Sequence, residues 1–154
     1  MLSEASRVLR PGGLILLGEW IHPPVDSSTG RSPPGVVEFC QALNSSLLSE
    51  YAIENISPFL TDFISQLGSF DDIQSHDHHM PIGDWARSSP RGKDLGVKFR
   101  QSLEIWTESA AMVLAKAGYG EDLIERLMDG FTGEIFDIAG LQITYRVVTA
   151  QRIP

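Results

Sequence analysis

The sequence contains very little cysteine, few cations and no long apolar run. Cys40 is the single cysteine among 154 residues, so no disulfide can form within the chain. Twelve lysines and arginines stand against 20 aspartates and glutamates, a formal net charge of −8. This charge disfavours binding to the phosphate backbone of nucleic acids. No stretch reaches the ~18 consecutive apolar residues of a membrane span, and the first residues lack the basic start of a signal peptide.

The low cysteine and cation content and the lack of a long apolar run predict an intracellular protein, in the cytoplasm or alternatively in the nucleus. This protein is expected to bind neither nucleic acid nor membrane. Hydrophobic residues make up 42% and charged residues 21% of the chain, which is close to the average of globular domains. The length suits one domain or a large piece of one. Cys40 lies in an apolar periodic stretch, which favours a core position over a catalytic thiol.

The beginning of the chain indicates an α/β unit. Residues 2–9 have helical periodicity, and Arg10-Pro11-Gly12-Gly13 forms a turn that ends the helix. The four consecutive apolar residues Leu14–Leu17 then predict a strand that is covered on both faces. Four prolines between residues 22 and 35 predict a long loop.

Four further helices and two further strands are predicted downstream. Apolar residues recur at helical spacing over 35–52, 57–67, 93–117 and 121–135. The helices at 35–52 and 98–117 are expected to share a core that includes Trp106. The polar stretch 71–82 predicts a strand at a sheet edge, where charge blocks pairing with other chains. Residues 83–94 are predicted as loop, and alternation over 142–150 predicts a final strand.

One segment resembles a known family. Arg7-Val8-Leu9-Arg10-Pro11-Gly12-Gly13-Leu14-Ile15-Leu16-Leu17-Gly18-Glu19 is similar to the late signature of class I S-adenosylmethionine-dependent methyltransferases, in which such a helix and turn lead into the fifth strand. The order of the later elements agrees. A helix that ends at 67–70 before 71–73 resembles the helix and sixth strand of the family, and 142–152 resembles its closing antiparallel seventh strand. Met80-Pro81-Ile82-Gly83-Asp84-Trp85 and Lys93-Asp94-Leu95-Gly96 resemble the fungal branch of the family, which includes proteins tied to secondary metabolism.

This resemblance implies the C-terminal part of one Rossmann-like methyltransferase domain over 1–154. The expected fold is α/β, with a remnant of a mixed sheet containing three strands, about five helices, and helical insertions at about 35–68 and 93–138. If the family resemblance holds, strand 142–150 lies between strands 13–19 and 72–80 and runs antiparallel to both. The implied activity is methyl transfer from S-adenosylmethionine to a small molecule or a protein.

The cofactor signature of that family is absent from the sequence. The family places an acidic residue and Gly-x-Gly-x-Gly after its first strand, and a second acidic residue after its second strand. The one Gly-x-Gly here, Gly118-Tyr119-Gly120, falls between two predicted helices. No cofactor-binding residue is therefore assigned, and the chain alone is expected to be inactive. Its missing partner would be the N-terminal part of the same domain.

Four residues are candidates for contact with the methyl acceptor. Trp20 and His22 follow the first strand, at the rim where ligands bind in open α/β sheets. Trp20 would form an aromatic wall and His22 could accept a proton, or Trp20 covers the sheet edge and His22 is solvated. His79 lies near the end of the second strand, and Trp85 is either a pocket wall or a packing plug. No catalytic residue is assigned.

Two charged clusters have plain structural explanations. His76, Asp77, His78 and His79 could hold a metal ion, but two ligands on one strand face are too few for a structural zinc. A polar edge strand explains them, so no metal is predicted. A run of cations, which could attract an acidic partner, is more typical of a solvated helix start; its members are Arg87, Arg91, Lys93, Lys98 and Arg100. The alternative to an enzyme is a non-catalytic fragment or interaction module that binds no cofactor.

Overall fold

The structure is a computed structural model, and it describes residues 2–86 and 90–154. The chain divides into two compact units. The first contains Met1–Ile21, Ile56–His78 and Thr144–Pro154, and the second contains His22–Asn55 and His79–Ile143. The loop predicted at 83–94 includes Arg87, Ser88 and Ser89, which lie outside the described residues.

Five α-helices and three strands make up the described part of the chain, which is therefore α/β as predicted. In chain order they are α1 (Leu2–Val8), β1 (Leu14–Asp26), α2 (Pro34–Tyr51), α3 (Leu60–Gln66), β2 (Phe70–Pro81), α4 (Pro90–Lys116), α5 (Glu121–Asp137) and β3 (Leu141–Arg152). A 3₁₀ turn at Ser57–Phe59 precedes α3. Among these elements, α4 begins three residues before its predicted start at Lys93.

The three strands form one sheet in the order β1-β3-β2. The N–H of Gly12 donates to the carbonyl of Arg152, so the start of β1 pairs with the end of β3. The N–H of Ile153 donates in turn to Ser69, beside the start of β2. The predicted strand order is confirmed, with the last strand in the middle. Neighbouring strands of this sheet run antiparallel, as expected for a last strand that lies between the other two.

Two expectations about β1 are wrong. Ile15 is 8% exposed, but its neighbours Leu14 and Leu16 are 64% and 62% exposed, so only one face of the strand is covered. The predicted loop at 22–35 is also too long, because β1 continues through two prolines to Asp26. There the Asp26 carboxylate accepts hydrogen bonds from the Ser28 N–H and hydroxyl, each at 2.8 Å, and this closes a short turn.

Each unit has its own apolar core. In the first, Ile15 packs with buried residues of α3, β2 and β3, and Leu2, Ala5 and Leu9 of α1 or its end cover this cluster. In the second, α2, α4 and α5 pack on one another, so the predicted shared core of the 35–52 and 98–117 helices is confirmed. Cys40 is buried there as a free thiol, as predicted.

Candidate functional site

The first candidate, Trp20, lies on β1 in the first unit and packs against Tyr145 of β3. The two ring centroids are 4.7 Å apart and the rings are tilted by 54°. Tyr145 also lies across Gly18, where an added Cβ would come within 2.0 Å of the tyrosine hydroxyl. Gly18 therefore leaves the space that this aromatic pair occupies, and Trp20 is half-buried as a result.

The second candidate, His22, lies in the second unit and stacks on Trp106 of α4. Their rings are nearly parallel, at 11°, with centroids 5.9 Å apart. Trp106 itself contacts Phe39 and Phe131, whose centroids lie 5.6 Å and 5.9 Å from its own. Burial lowers the pKa of His22, because the imidazolium form loses hydration in these apolar surroundings. A neutral imidazole of this kind can accept a proton, and it is half-buried rather than solvated.

Trp85 lies at a small cavity of about 80 Å³ in the second unit. Its indole N–H donates to the carbonyl oxygen of Leu141 at 2.8 Å, which fixes the ring at the start of β3. Arg100 of α4 also lines the cavity, and its guanidinium lies 4.5 Å from the centre of the Phe136 ring. The cavity is lined by Ile82, Gly83, Asp84, Trp85, Arg100 and the stretch 135–139.

The sequence did not predict Arg100 as a cavity residue. Charge alone placed Arg100 in a run of cations, although the members of that run within α4 do not share one helix face. Gly83 was the local signal available, since its φ of +95° marks a turn, and a Cβ added at this position would lie 3.2 Å from Nη1 of Arg100. The contact with Phe136 joins residues distant in sequence, so no local pattern predicts it.

The histidine run lies on β2, and all three of its histidines are exposed. Asp77 of this run is bound to Arg146 of β3 through two hydrogen bonds, Nε to Oδ1 at 2.7 Å and Nη2 to Oδ2 at 2.8 Å. This paired arrangement gives the carboxylate a structural role in the sheet. Within residues 2–86 and 90–154, no group of three or more metal-ligating side chains comes together. That no metal binds stays a prediction.

Trp20, His22 and Trp85 thus each have a different described partner. Trp20 belongs to the first unit, and His22, His79 and Trp85 belong to the second. Within the second unit, the described partners of His22 and Trp85 have no residue in common. Whether any of the four contacts a substrate stays a prediction.

The described residues do not fit the cofactor that the family resemblance implies. Gly118, with a φ of +88°, follows the last turn of α4, and Gly120 is the N-cap of α5. This Gly-x-Gly therefore joins two helices and follows no strand. A glycine turn that binds the phosphate or the methionine part of a cofactor lies at the end of a strand, where its backbone can approach the ligand.

No protein-family model matches this chain, and no curated protein is significantly similar to it in sequence. None of the helices in the described part of the chain is both long enough and apolar enough to cross a membrane.

Proposed function

We propose that this chain is the C-terminal part of a class I S-adenosylmethionine-dependent methyltransferase domain, which transfers a methyl group to a small-molecule or protein acceptor. The observation that carries the proposal is the position of β3. The last strand in sequence lies between the other two and runs antiparallel to both, which is the arrangement expected from the resemblance of residues 7–19. An ordinary antiparallel meander would instead place consecutive strands side by side.

The exposed side of β1 also supports the proposal. β1 is an edge strand of the described sheet, and Leu14 and Leu16 form an exposed apolar patch on one of its faces. An edge strand with an uncovered apolar face is a site for pairing with a further strand and helix. In the proposed domain, the strands that carry the cofactor site pair at this edge.

The contribution of this chain is then on the acceptor side of the reaction. Because the described residues do not fit S-adenosylmethionine, no step of methyl transfer is assigned to them. The candidates for acceptor contact are Trp20 in the first unit and His22, His79 and Trp85 in the second. Methyl transfer depends mainly on aligning and desolvating the two reactants, so aromatic side chains such as these suffice for that role.

Calorimetry with S-adenosylhomocysteine tests the proposal. The 154-residue chain is expected to bind it with a Kd of roughly millimolar or weaker, because association costs several kcal/mol before any contact is gained. The comparison is a chain extended through the reading frame that precedes Met1, which is expected to bind at about micromolar Kd. Micromolar binding by the short chain would mean that the cofactor site is misplaced.

The same measurement distinguishes the proposed methyltransferase from the alternative, a non-catalytic interaction module. If an extended chain binds no cofactor and its added sequence carries no Gly-x-Gly-x-Gly after a strand, the methyltransferase proposal is wrong. The non-catalytic interaction module then becomes the better description of this chain. A competition assay with S-adenosylmethionine and S-adenosylhomocysteine on the extended chain checks that any binding is specific to the cofactor.

A further inference from the structure

An open apolar groove runs between α4 and α5 in the second unit. Its first section has a volume of about 460 Å³ and is lined by Ala111, Met112, Ala115, Tyr119, Glu121 and Ile124. A second section of about 300 Å³ shares Glu121 and Ile124 and extends along α5 past Met128 to Asp129. The two sections together are called the α4–α5 groove.

The sequence explains why a groove forms here. Ala111 and Ala115 are four residues apart, so they lie one above the other on the same face of α4. Their single methyl groups leave a shallow channel where longer side chains would fill the space between the helices. Met112 stands beside this channel and is 70% exposed. Ile124 and Met128 repeat the same spacing on α5, and both are only half-buried.

An acidic stripe borders the groove along α5. It consists of Glu121, Glu125 and Asp129, which are spaced four residues apart on one helix face and are all exposed. Glu121 lies in the first turn of α5, where a negative charge favourably meets the helix dipole. The dipole does not account for Glu125 and Asp129, because its effect fades beyond that turn.

The nearest cations in sequence do not neutralise this stripe. Lys116 is the only lysine or arginine between residues 101 and 125, and its ammonium lies 4.3 Å from the centre of the Tyr51 ring. Arg126 forms an ion pair with Glu38 of α2 at 2.8 Å. Among the ion pairs of the described residues, none involves Glu121, Glu125 or Asp129. Apolar side chains and negative charge therefore lie side by side along the groove.

We propose that the α4–α5 groove binds a basic amphipathic helix of a partner protein. The apolar face of that helix would pack on the alanines, Ile124 and the two methionines, whose flexible thioethers adapt to different side chains. A row of lysines or arginines beside this face would pair with the acidic stripe. The stripe spans nine residues, from Glu121 to Asp129, or about 12 Å along α5, so a partner helix of about three turns covers it.

Charge argues for this occupant over the others. A second copy of this chain has the same net charge of −8 and would bring one acidic stripe towards another. Nucleic acids and anionic lipid surfaces would be repelled in the same way. This inference is independent of methyl transfer, since it uses neither the candidate acceptor residues nor a cofactor.

Binding to synthetic peptides tests the inference. The probe is a side-chain-bridged helical peptide of about 14 residues, with leucines on one face and lysines at every fourth position beside them. Fluorescence anisotropy compares it with a bridged peptide of the same composition whose leucines are distributed around the helix. The amphipathic peptide is expected to bind at least about tenfold more tightly, since only its apolar face fits the groove. Equal binding of the two peptides would overturn the proposal.

Two variants test the apolar lining and the acidic stripe of the groove separately. Ala115→Leu fills the channel at an exposed helical position and leaves every charge in place, and it is expected to weaken binding by at least about tenfold. Glu125→Lys combined with Asp129→Lys reverses the stripe and is expected to weaken binding by a similar factor. The matched control reverses two exposed acidic residues elsewhere, Glu54→Lys with Asp62→Lys, and should retain most of the affinity.

Further measurements test whether the variants are folded and whether a second copy of the chain occupies the groove. Circular dichroism and urea denaturation of each variant verify that the helices are intact. If Ala115→Leu binds the peptide as tightly as the unchanged chain, or the charge control loses as much affinity as the stripe variant, the assignment of the groove is wrong. Sedimentation equilibrium that shows a dimer dissolved by Ala115→Leu would identify a second copy as the occupant and would also contradict the proposal.

Discussion

The backbone N–H of Val36, in the first turn of α2, donates a hydrogen bond to the Oε2 atom of Glu134 on α5 at 2.7 Å. The first N–H groups of a helix have no partner within it, and the N-cap residue here, Pro33, makes no side-chain hydrogen bond. A carboxylate from a second helix therefore takes the role that serine or aspartate at the N-cap usually has. The contact joins residues 98 positions apart and ties the start of α2 to α5.

Removing this carboxylate should destabilise the second unit. Glu134→Ala leaves the Val36 N–H without its acceptor, and we expect the free energy of unfolding to fall by about 1–2 kcal/mol. Glu134→Gln keeps an oxygen acceptor and is expected to lose less. Urea denaturation followed by circular dichroism measures both values, and an equal loss in the two variants would indicate that the hydrogen bond is not the stabilising contact.

The same helices approach closely at Gly35. A Cβ at this position would lie 2.7 Å from the backbone oxygen of Gly130, which a rigid α5 cannot move aside. Gly35→Ala is therefore expected to cost about 1–3 kcal/mol of stability. Gly133→Ala is the control on α5, where nothing lies within 4 Å of the added methyl group, and a gain of about 0.5–1 kcal/mol is expected. Loss of stability in both variants would contradict this explanation.

The two faces of β1 should respond differently to substitution. Leu16→Lys places a charge on the exposed face and is expected to change the stability of this chain by less than about 0.5 kcal/mol. Ile15→Ala removes a buried side chain from the core of the first unit and should cost about 2–5 kcal/mol. Urea denaturation compares the two variants. In the extended chain of the proposed methyltransferase domain, Leu16→Lys should instead become strongly destabilising, because in that proposal a further strand and helix would cover that face.

The thiol of Cys40 should be protected by the fold. Burial raises the pKa of this thiol to about 12, because the thiolate would lose its hydration in the core. Since only the thiolate attacks disulfide reagents, the native chain is expected to react with 5,5′-dithiobis(2-nitrobenzoate) at pH 8 no faster than it unfolds. The same chain in urea should react quickly. Rapid reaction of the native chain would show that the environment of Cys40 opens easily.

The sequence predicted the helices of this fold well, because their apolar residues recur at helical spacing. The buried Leu127, Phe131 and Ile135 of α5 follow this pattern. It predicted burial less well, since a continuous apolar run such as Leu14–Leu17 does not say whether a neighbouring element covers both faces. The cavity beside Trp85 and the α4–α5 groove depend on which helices meet, and a single helix pattern carries no such information.

The polar stretch of β2 shows the same limit of prediction from sequence. Its composition predicted an edge strand, and the strand order confirms that position. The pairing of Asp77 with Arg146 was not predicted, because it requires the register between β2 and β3. Sequence alone left Asp77 as one of four potential metal ligands, whereas the register gives it a cation as a partner.

The stability of the chain should depend on the protonation of His22. Its pKa is lowered in the folded chain by burial, whereas an unfolded histidine titrates near its ordinary value of about 6.5. Between these two pKa values the unfolded chain binds more protons than the folded chain, so stability rises with pH across this interval. The contribution is fully present above about pH 6.5 and is lost as the pH falls towards the folded pKa.

Urea denaturation at intervals between about pH 5 and pH 8 measures this dependence, with His22→Phe as the matched variant. Phenylalanine keeps an aromatic ring that can stack on Trp106 but carries no titrating group. The unchanged chain is expected to lose stability below about pH 6.5 relative to the variant, because acid favours the unfolded chain with its protonated imidazole. Carboxylates and the other three histidines are present in both proteins, so their effects cancel in the difference. Parallel curves for the two proteins would show that His22 titrates alike in the folded and unfolded chains, and that its ring is not desolvated by Trp106.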